Sequence, residues 1–186
     1  KGIICIKSTV TPGTTDRLKE KYKNFNICFV PEFLRERCAL DDFKYNHDIC
    51  LIGTSCKKTY QTVKDVHGDY PKKFKMTSAK EAEMSKYFNN AYNATLITFA
   101  NSMYEICKEL NINYTNVKNA VINRDHINDV YLDCNEDLRG FGGMCLPKDT
   151  SNLASIVKNK KLPIKFFECI IDENKKYKIT DFKGMR

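Results

Sequence analysis

The chain has 186 residues, of which 42% are hydrophobic and 29% are charged, and this composition excludes an intrinsically disordered protein. Its formal net charge of +8 could attract an anionic partner, but the lysine pairs are scattered and have no interleaved aromatic residues, which disfavours nucleic acid as that partner. No apolar run approaches the length of a membrane span, so we expect no membrane partner either.

The first part of the chain, up to residue 76, shows the alternation of strands and helices that is typical of an α/β fold. Apolar runs at 3–7, 27–30 and 48–53 predict buried strands of a parallel sheet, and the polar stretch 14–22 predicts a helix. Because the chain starts in the first of these strands, without an initiator Met or a signal peptide, we expect it to begin inside a domain.

A long helix is predicted to follow, from a capping box at Ser78–Glu81 to about residue 110. It carries an apolar stripe at steps of three and four residues, formed by Met84, Phe88, Tyr92, Leu96, Phe99, Met103, Ile106 and Leu110. Since helices usually have roughly 11–12 residues, a helix of this length typically spans a domain or forms an interface, and we expect a homodimer through it.

The remaining segments also have a helical pattern. A shorter helix is predicted at 114–122, a polar loop at 124–143, a helix from Pro147 and an amphipathic segment at 164–182. We therefore place a domain boundary near residue 76, between an α/β part (1–76) and an all-helical part (77–186).

The stretch from Gly140 to Asp149, Gly-Phe-Gly-Gly-Met-Cys-Leu-Pro-Lys-Asp, is the most informative in the sequence. Its glycines allow a sharp turn and a close approach to a ligand. Cys145 lies just before Pro147, at a predicted helix N-terminus, where the helix dipole and Lys148 favour the thiolate form. Asp149 could orient or deprotonate a water molecule. The pattern predicts a nucleophilic cysteine rather than a buried structural one.

The nine cysteines include no C-x-x-C pair, and no metal site is predicted. Together with the missing signal peptide, this predicts a reducing, cytoplasmic compartment in which most of the thiols serve as small core residues.

The Cys145 stretch resembles the G-F-G-G-x-C-x-P-K-D active-site motif of the UDP-glucose/GDP-mannose dehydrogenase family. Three further segments are similar to motifs of that family and follow its order: Ser8–Thr15, Val30–Glu36 and Glu81–Asn90. The resemblance runs from residue 1 to about residue 175. It implies an α/β fold, with the end of a Rossmann-like NAD-binding domain followed by an all-helical central dimerisation domain.

The resemblance also implies a reaction. An enzyme of this family uses NAD to oxidise the C6 hydroxyl of a nucleotide sugar twice, through a thiohemiacetal and a thioester on the cysteine. The spelling of the Val30–Glu36 and Cys145 segments favours UDP-glucose as the substrate, giving UDP-glucuronate. GDP-mannose or a related nucleotide sugar is one alternative, and a non-catalytic dimerisation module built on the long helix is another.

Roles for individual residues follow from the same resemblance. Cys145 would be the nucleophile. Lys86 and Asn90, which share a helix face because they are four residues apart, would stabilise the negative oxygen. The residues implied to act on the catalytic water are Asp149, Glu36 and Thr9. The residues implied to contact NAD are Thr9, Glu36 and Lys148. The residues implied to contact the substrate are Glu32, Phe33, Leu34, Arg35, Glu36, Lys86, Asn90, Cys134, Asn135, Glu136, Asp137, Leu138 and Gly142.

The sequence departs from the family pattern in two places. No G-x-G-x-x-G motif for the pyrophosphate of NAD occurs, so we expect an internal fragment that alone neither binds NAD tightly nor turns over. His126 stands where the family usually has an arginine that reaches the substrate pocket of a partner subunit. Histidine is a weaker cation at neutral pH, so this change bears on substrate preference.

Overall fold

The computed structural model describes residues 1–35 and 38–180. The chain divides into two compact units, Lys1–Asn89 and Asn90–Arg186, and the division falls inside its longest helix. The domain boundary near residue 76 stays a prediction.

The first unit alternates strands and helices, as the sequence predicts. Its elements are β1 (Ile3–Ile6), α1 (Thr14–Lys21), β2 (Asn26–Phe29), α2 (Ala39–Tyr45), β3 (Cys50–Gly53), α3 (Lys57–His67), β4 (Phe74–Thr77) and the start of α4 (Ala79–Glu109). The sequence pattern had not predicted α2, α3 or β4. Of these, α3 buries only Thr59 and Val63, so the apolar residues that would mark it in the sequence are few.

The four strands form one sheet in the order β1-β2-β3-β4. Strands β1 and β2 are parallel, and so are β3 and β4, but β2 and β3 pair antiparallel, through Phe29 and Gly53 alone. The prediction of an all-parallel sheet is therefore wrong at this junction. The apolar runs indicated burial, which carries no information about strand direction.

Burial in the sheet is uneven. Strands β2 and β3 supply the core, where Cys28, Val30, Cys50 and Ile52 pack with Val63 of α3. The first strand was also predicted to be buried, but it lies at the edge of the sheet and two of its four side chains are exposed. Its apolar composition reflects strand propensity more than burial.

The long helix α4 confirms the capping-box prediction. The Glu81 carboxylate accepts hydrogen bonds from the Ser78 backbone N–H (2.9 Å) and hydroxyl (2.7 Å), and the Glu81 N–H donates back to the Ser78 hydroxyl (3.2 Å). The face that α4 buries carries mainly small or polar side chains, among them Ala82, Ala91, Ala94, Ala100 and Asn101. Six of the eight stripe residues are exposed instead: Met84, Phe88, Tyr92, Phe99, Ile106 and Leu110.

The second unit contains the rest of α4 and three more helices, α5 (Tyr114–Val121), α6 (Leu146–Asn159) and α7 (Phe166–Asn174). The predicted helices at 114–122 and from Pro147 agree with α5 and α6 within one residue. The predicted segment 164–182 is longer than α7, and its last two residues lie outside the described part of the chain.

The loop between α5 and α6 is less polar than predicted. It buries Leu132, Cys134, Leu138 and Phe141, so it contributes to the core of this unit. Within residues 1–35 and 38–180, no helix has both the length and the apolarity that crossing a membrane requires.

Candidate functional site

In the first unit, two predicted site segments follow neighbouring strands. Thr9 is half-buried after β1, and Glu32–Arg35 follows β2. Because β1 and β2 are parallel, their carboxyl ends lie at the same edge of the sheet, where α/β proteins bind nucleotides. An ion pair between Lys7 Nζ and Glu32 Oε2 (3.2 Å) connects the two segments.

Lys86 holds the Glu32–Arg35 segment from α4. Its side chain is buried, and its Nζ donates a hydrogen bond to the backbone carbonyl of Glu32. The same ammonium group lies 5.8 Å from the centroid of the Phe33 ring. The structure thus brings together three of the residues predicted for the site, around one buried positive charge.

Arg35 anchors the other end of this segment. Its Nε and Nη2 donate to the two carboxylate oxygens of Asp42 on α2, at 2.9 and 2.7 Å, and its backbone N–H donates to Asp42 Oδ2 at 3.0 Å. These hydrogen bonds from the Arg35 guanidinium hold the pKa of Asp42 well below its usual range. Leu34 is half-buried. Glu36, which was predicted for catalysis, substrate and NAD, lies outside the described residues.

Glu83 is a structural residue of this unit to which the sequence analysis gave no role. Its side chain is completely buried, and its Oε1 accepts from the backbone N–H and the hydroxyl of Thr15, both at 2.7 Å. Its Oε2 accepts from the N–H of Gly13, whose φ of 95° places it in the left-handed region. A carboxylate from α4 thereby caps the N-terminus of α1 and fixes the segment that follows Thr9.

In the second unit, four predicted residues meet at the start of α6. Cys145 is exposed and forms the N-cap of this helix. Asp149 is fully buried one turn later, and its N–H donates to the Cys145 carbonyl at 3.0 Å. Asn90 Nδ2 donates to Asp149 Oδ2 and Lys148 Nζ donates to Asp149 Oδ1, both at 2.6 Å. Asp149 therefore connects Asn90 of α4 to the turn that carries Cys145.

The turn at Cys145 combines a helix N-terminus with a nearby lysine. No side-chain cap occupies the N-terminus of α6, and Pro147 lies in its first turn. A helix N-terminus carries partial positive charge, and the half-exposed ammonium group of Lys148 is paired with Asp149.

The predicted substrate segment, Cys134–Leu138, forms a tight turn. Asn135 Oδ1 accepts from the N–H groups of Asp137 (2.9 Å) and Leu138 (3.0 Å). Cys134 and Leu138 are buried, whereas the three polar side chains between them are exposed. Of these, Glu136 pairs with Lys108 of α4 at 2.8 Å.

Arg139, which the sequence analysis did not single out, fixes the end of this turn. It is buried, its Nε donates to Asn101 Oδ1 at 2.8 Å, and its guanidinium lies 4.8 Å from the ring centroids of both Tyr104 and Tyr177. No local pattern marks an arginine as buried, so its role was not visible in the sequence. His126 is exposed in the loop that follows α5.

The glycine-rich loop before Cys145 packs against the segment after α7. Gly140 forms an isolated bridge with Ile179, and a side chain at Gly142 would collide with Cγ2 of Ile179. Gly143 has a φ of 77°, in the left-handed region. The neighbour that these glycines approach closely is thus the chain itself. The close approach to a ligand stays a prediction.

Comparison with known proteins supports the fold and identifies the family. One relative, the UDP-glucose 6-dehydrogenase of Rickettsia prowazekii, is 33% identical over 180 residues, which cover 93% of this chain and 41% of the relative. The corresponding enzyme of Rickettsia bellii is 34% identical over the same shares. A solved structure of a UDP-glucose dehydrogenase from Pyrobaculum islandicum superposes with a TM-score of 0.83 at 29% identity, over 94% of this chain and 41% of that one.

The chain thus spans about two fifths of the length of these relatives. Residues 1–70 match the NAD binding domain of the UDP-glucose/GDP-mannose dehydrogenase family, and residues 80–176 match its central domain. With two of that family's domains matched in their order along the sequence, this chain belongs to the UDP-glucose/GDP-mannose dehydrogenase family.

Proposed function

We propose that the protein, in the form its gene encodes, is an NAD-dependent UDP-glucose 6-dehydrogenase that oxidises the C6 hydroxyl of UDP-glucose to the carboxylate of UDP-glucuronate. The observation that carries this proposal is the cluster at the start of α6, where Cys145 is the residue before the first helical turn and Asp149 links Asn90 to Lys148. The Rickettsia relatives and the Pyrobaculum structure support it, because each is named for this sugar nucleotide.

The residues of this chain suit the nicotinamide side of NAD but do not include a loop for its pyrophosphate. Thr9 follows β1 at the edge of the sheet where α/β proteins bind nucleotides, and Lys148 adds a cation. We propose that these two residues, with Glu36, hold the nicotinamide side. The chain contains no G-x-G-x-x-G motif, so the usual pyrophosphate loop is not among its residues. When bound, NAD supplies the hydride acceptor for both oxidations.

Cys145 acts after the first oxidation, when C6 of the sugar has become an aldehyde. Its thiolate adds to the carbonyl carbon, so that a C–S bond forms and the carbonyl oxygen becomes negative. We propose that Lys86 and Asn90 stabilise this oxygen. The hydrogen bond from Asn90 to Asp149 fixes the orientation of the amide in advance, as transition-state stabilisation requires.

The second oxidation converts the thiohemiacetal into a thioester, which water then hydrolyses. Water attacks the carbonyl carbon, the C–S bond breaks, and Cys145 leaves as a thiolate while the product carboxylate forms. We propose that Asp149, Glu36 and Thr9 position this water and take up its proton. Asp149 suits the task because it is one helical turn from Cys145.

We propose further that the turn Cys134–Leu138 and the segment Glu32–Arg35 contact the nucleotide sugar, with Gly142. Their support is that both segments are fixed in place, one by Arg139 and the other by Lys86 and Arg35. Binding segments that are held before the ligand arrives lose less entropy on binding. GDP-mannose stays the alternative substrate.

A homodimer through α4 is also proposed. Six large apolar side chains lie exposed along one stripe of this helix, including Phe88 at 72% of its maximal accessible surface. Continuous exposed apolar surface usually marks an interaction site, and a second copy of the chain offers the same stripe in return. The same observation favours the second candidate function, a dimerisation module without catalysis. A cytoplasmic location is also proposed, as the cysteine pattern of the sequence predicts.

The decisive experiment measures NADH released per UDP-glucose, and separately per GDP-mannose, by the gene-encoded protein. We expect about two NADH per UDP-glucose, because each oxidation transfers one hydride. Cys145→Ser removes the nucleophile and should abolish the second oxidation. Cys169→Ser, which alters another exposed thiol, is the matched control and should behave as the wild type.

Release of NADH with GDP-mannose alone would replace the proposed substrate by the alternative. If neither sugar nucleotide yields NADH, the non-catalytic dimerisation module becomes the better supported of the two candidate functions. A fully active Cys145→Ser variant would contradict the role of Cys145.

A further inference from the structure

Asn174, the last residue of α7, makes a two-way contact with the loop that carries Cys145. Its side chain is 8% exposed. The carboxamide Oδ1 accepts from the Phe141 N–H at 2.8 Å, and Nδ2 donates to the Phe141 carbonyl at 2.9 Å. One side chain thus satisfies both polar groups of a buried backbone residue, as a neighbouring strand would.

The loop needs such an external support. Two of the three residues after Phe141 are glycines, which restrict their own backbone very little. Phe141 itself is buried against Ala94, Ile97 and Ile170, so it is the fixed point from which the chain reaches Cys145. Backbone hydrogen bonds from Gly140 to Lys178 (3.1 Å) and from Thr180 to Gly140 (3.1 Å) extend the same contact.

Few other side chains could replace Asn174. An aspartate has the acceptor but lacks the donor, which would leave the Phe141 carbonyl unpaired. The Asn174 side chain also lies close to the loop backbone, because a Cβ atom added at Gly140 would be only 3.0 Å from Asn174 Oδ1. The contact therefore depends on a carboxamide at this distance from the backbone.

We infer that Asn174 is a positioning residue for the nucleophile, setting the place of Cys145 through Phe141. This inference rests on the proposed function. Because Asn174 acts on the loop, it should affect the chemical steps more strongly than the binding of UDP-glucose, to which this loop contributes only Gly142, or the binding of NAD. A misplacement of about 1 Å can cost a hundredfold in rate.

The test uses the gene-encoded protein and three variants, Asn174→Ala, Asn174→Asp and Lys175→Ala. Lys175 is the next residue and is exposed, so its variant is the matched control. For Asn174→Ala we expect kcat to fall about tenfold to a hundredfold, with KM for both substrates within about twofold of the wild type. Hydrogen exchange should accelerate in peptides that cover residues 140–146.

Asn174→Asp is isosteric and supplies a second readout. When this aspartate is protonated it regains a donor for the Phe141 carbonyl. The ratio of its kcat to that of the wild type should therefore rise as the pH is lowered, which a merely destabilised protein would not show. This variant also keeps the test valid if Asn174→Ala does not fold.

Unchanged kcat and unchanged exchange in both Asn174 variants would overturn the inference, and so would a raised KM with a normal kcat. If the wild type releases no NADH, the proposed function fails. The exchange comparison then decides by itself whether Asn174 holds the loop.

Discussion

At the residue scale, His47 shows how burial couples one side chain to pH. The residue lies between α2 and β3, it is buried, and its Nδ1 has no hydrogen-bond partner in the described part of the chain. Its ring lies 5.2 Å from that of Phe43 and 6.4 Å from that of His67. Burial is the main cause that lowers the pKa of His47, with a smaller opposing contribution from Glu32.

This lowered pKa predicts a loss of stability in mild acid. Below about pH 6.5, the usual pKa of histidine, the unfolded chain binds a proton that the folded chain rejects, so the free energy of unfolding falls as the pH drops toward the folded-state pKa. Urea unfolding between pH 7.5 and 5.5 measures this slope. His47→Gln should flatten it, whereas His126→Gln, at an exposed position, should leave it unchanged. Equal slopes in the wild type and His47→Gln would contradict the prediction.

At the scale of elements, α4 serves as a support for other segments. Along one face it offers Glu83 to the N-terminus of α1 and Lys86 to the Glu32 carbonyl. Further along it offers Asn90 to Asp149 and Asn101 to Arg139. The segments that carry the predicted site residues are each attached to this helix by a buried polar side chain.

The buried carboxylate of Glu83 gives a prediction at this scale. Glu83→Ala leaves the N–H groups of Gly13 and Thr15 unpaired at a buried helix end, which should lower the free energy of unfolding by about 3 kcal/mol. Glu81→Ala, two residues earlier, removes only an exposed capping interaction and should lower the free energy of unfolding by much less. Urea unfolding with hydrogen exchange of the α1 amides compares the two variants. Equal losses of unfolding free energy in the two variants would contradict the prediction, because the buried Glu83 contact would then stabilise the fold no more than the exposed Glu81 cap.

At the scale of the whole molecule, the proposed homodimer depends on the exposed stripe of α4. Phe99→Glu places a charge in the middle of this stripe and should convert a dimer into a monomer, because a buried unpaired charge costs several kcal/mol. Phe166→Glu alters an exposed phenylalanine of α7, outside the stripe, and should leave the mass unchanged. Sedimentation equilibrium measures both. A wild type that is monomeric at all concentrations would refute the proposed dimer.

The sequence predicted those elements whose pattern lies in neighbouring residues, and it did not predict contacts between residues far apart in the chain. Helix α4 was predicted almost to the residue, because its capping box and its periodicity are local and extend over many turns. Helix α3, which buries only two side chains, gave no such signal. The antiparallel junction between β2 and β3 is a non-local pairing that no run of residues encodes.

The same distinction applies to the site. Cys145, Lys148 and Asp149 stand within one motif, so their residue types suffice to predict a site there. Glu83, Arg139 and Asn174 were missed because they act through buried hydrogen bonds to distant parts of the chain. Glu83 and Gly13 are 70 positions apart, and Asn174 and Phe141 are 33 apart. A single sequence does not indicate which distant backbone group such a side chain will form a hydrogen bond with.

The exposed stripe on α4 has a further consequence, because it belongs to a chain with a formal net charge of +8. Two copies that approach through apolar surface must overcome mutual repulsion, which acts over a Debye length of about 10 Å in 0.1 M salt. Added salt screens this repulsion and leaves the apolar contact intact. Self-association through α4 should therefore strengthen as ionic strength rises, so that the buffer chosen for storage determines which oligomer is found.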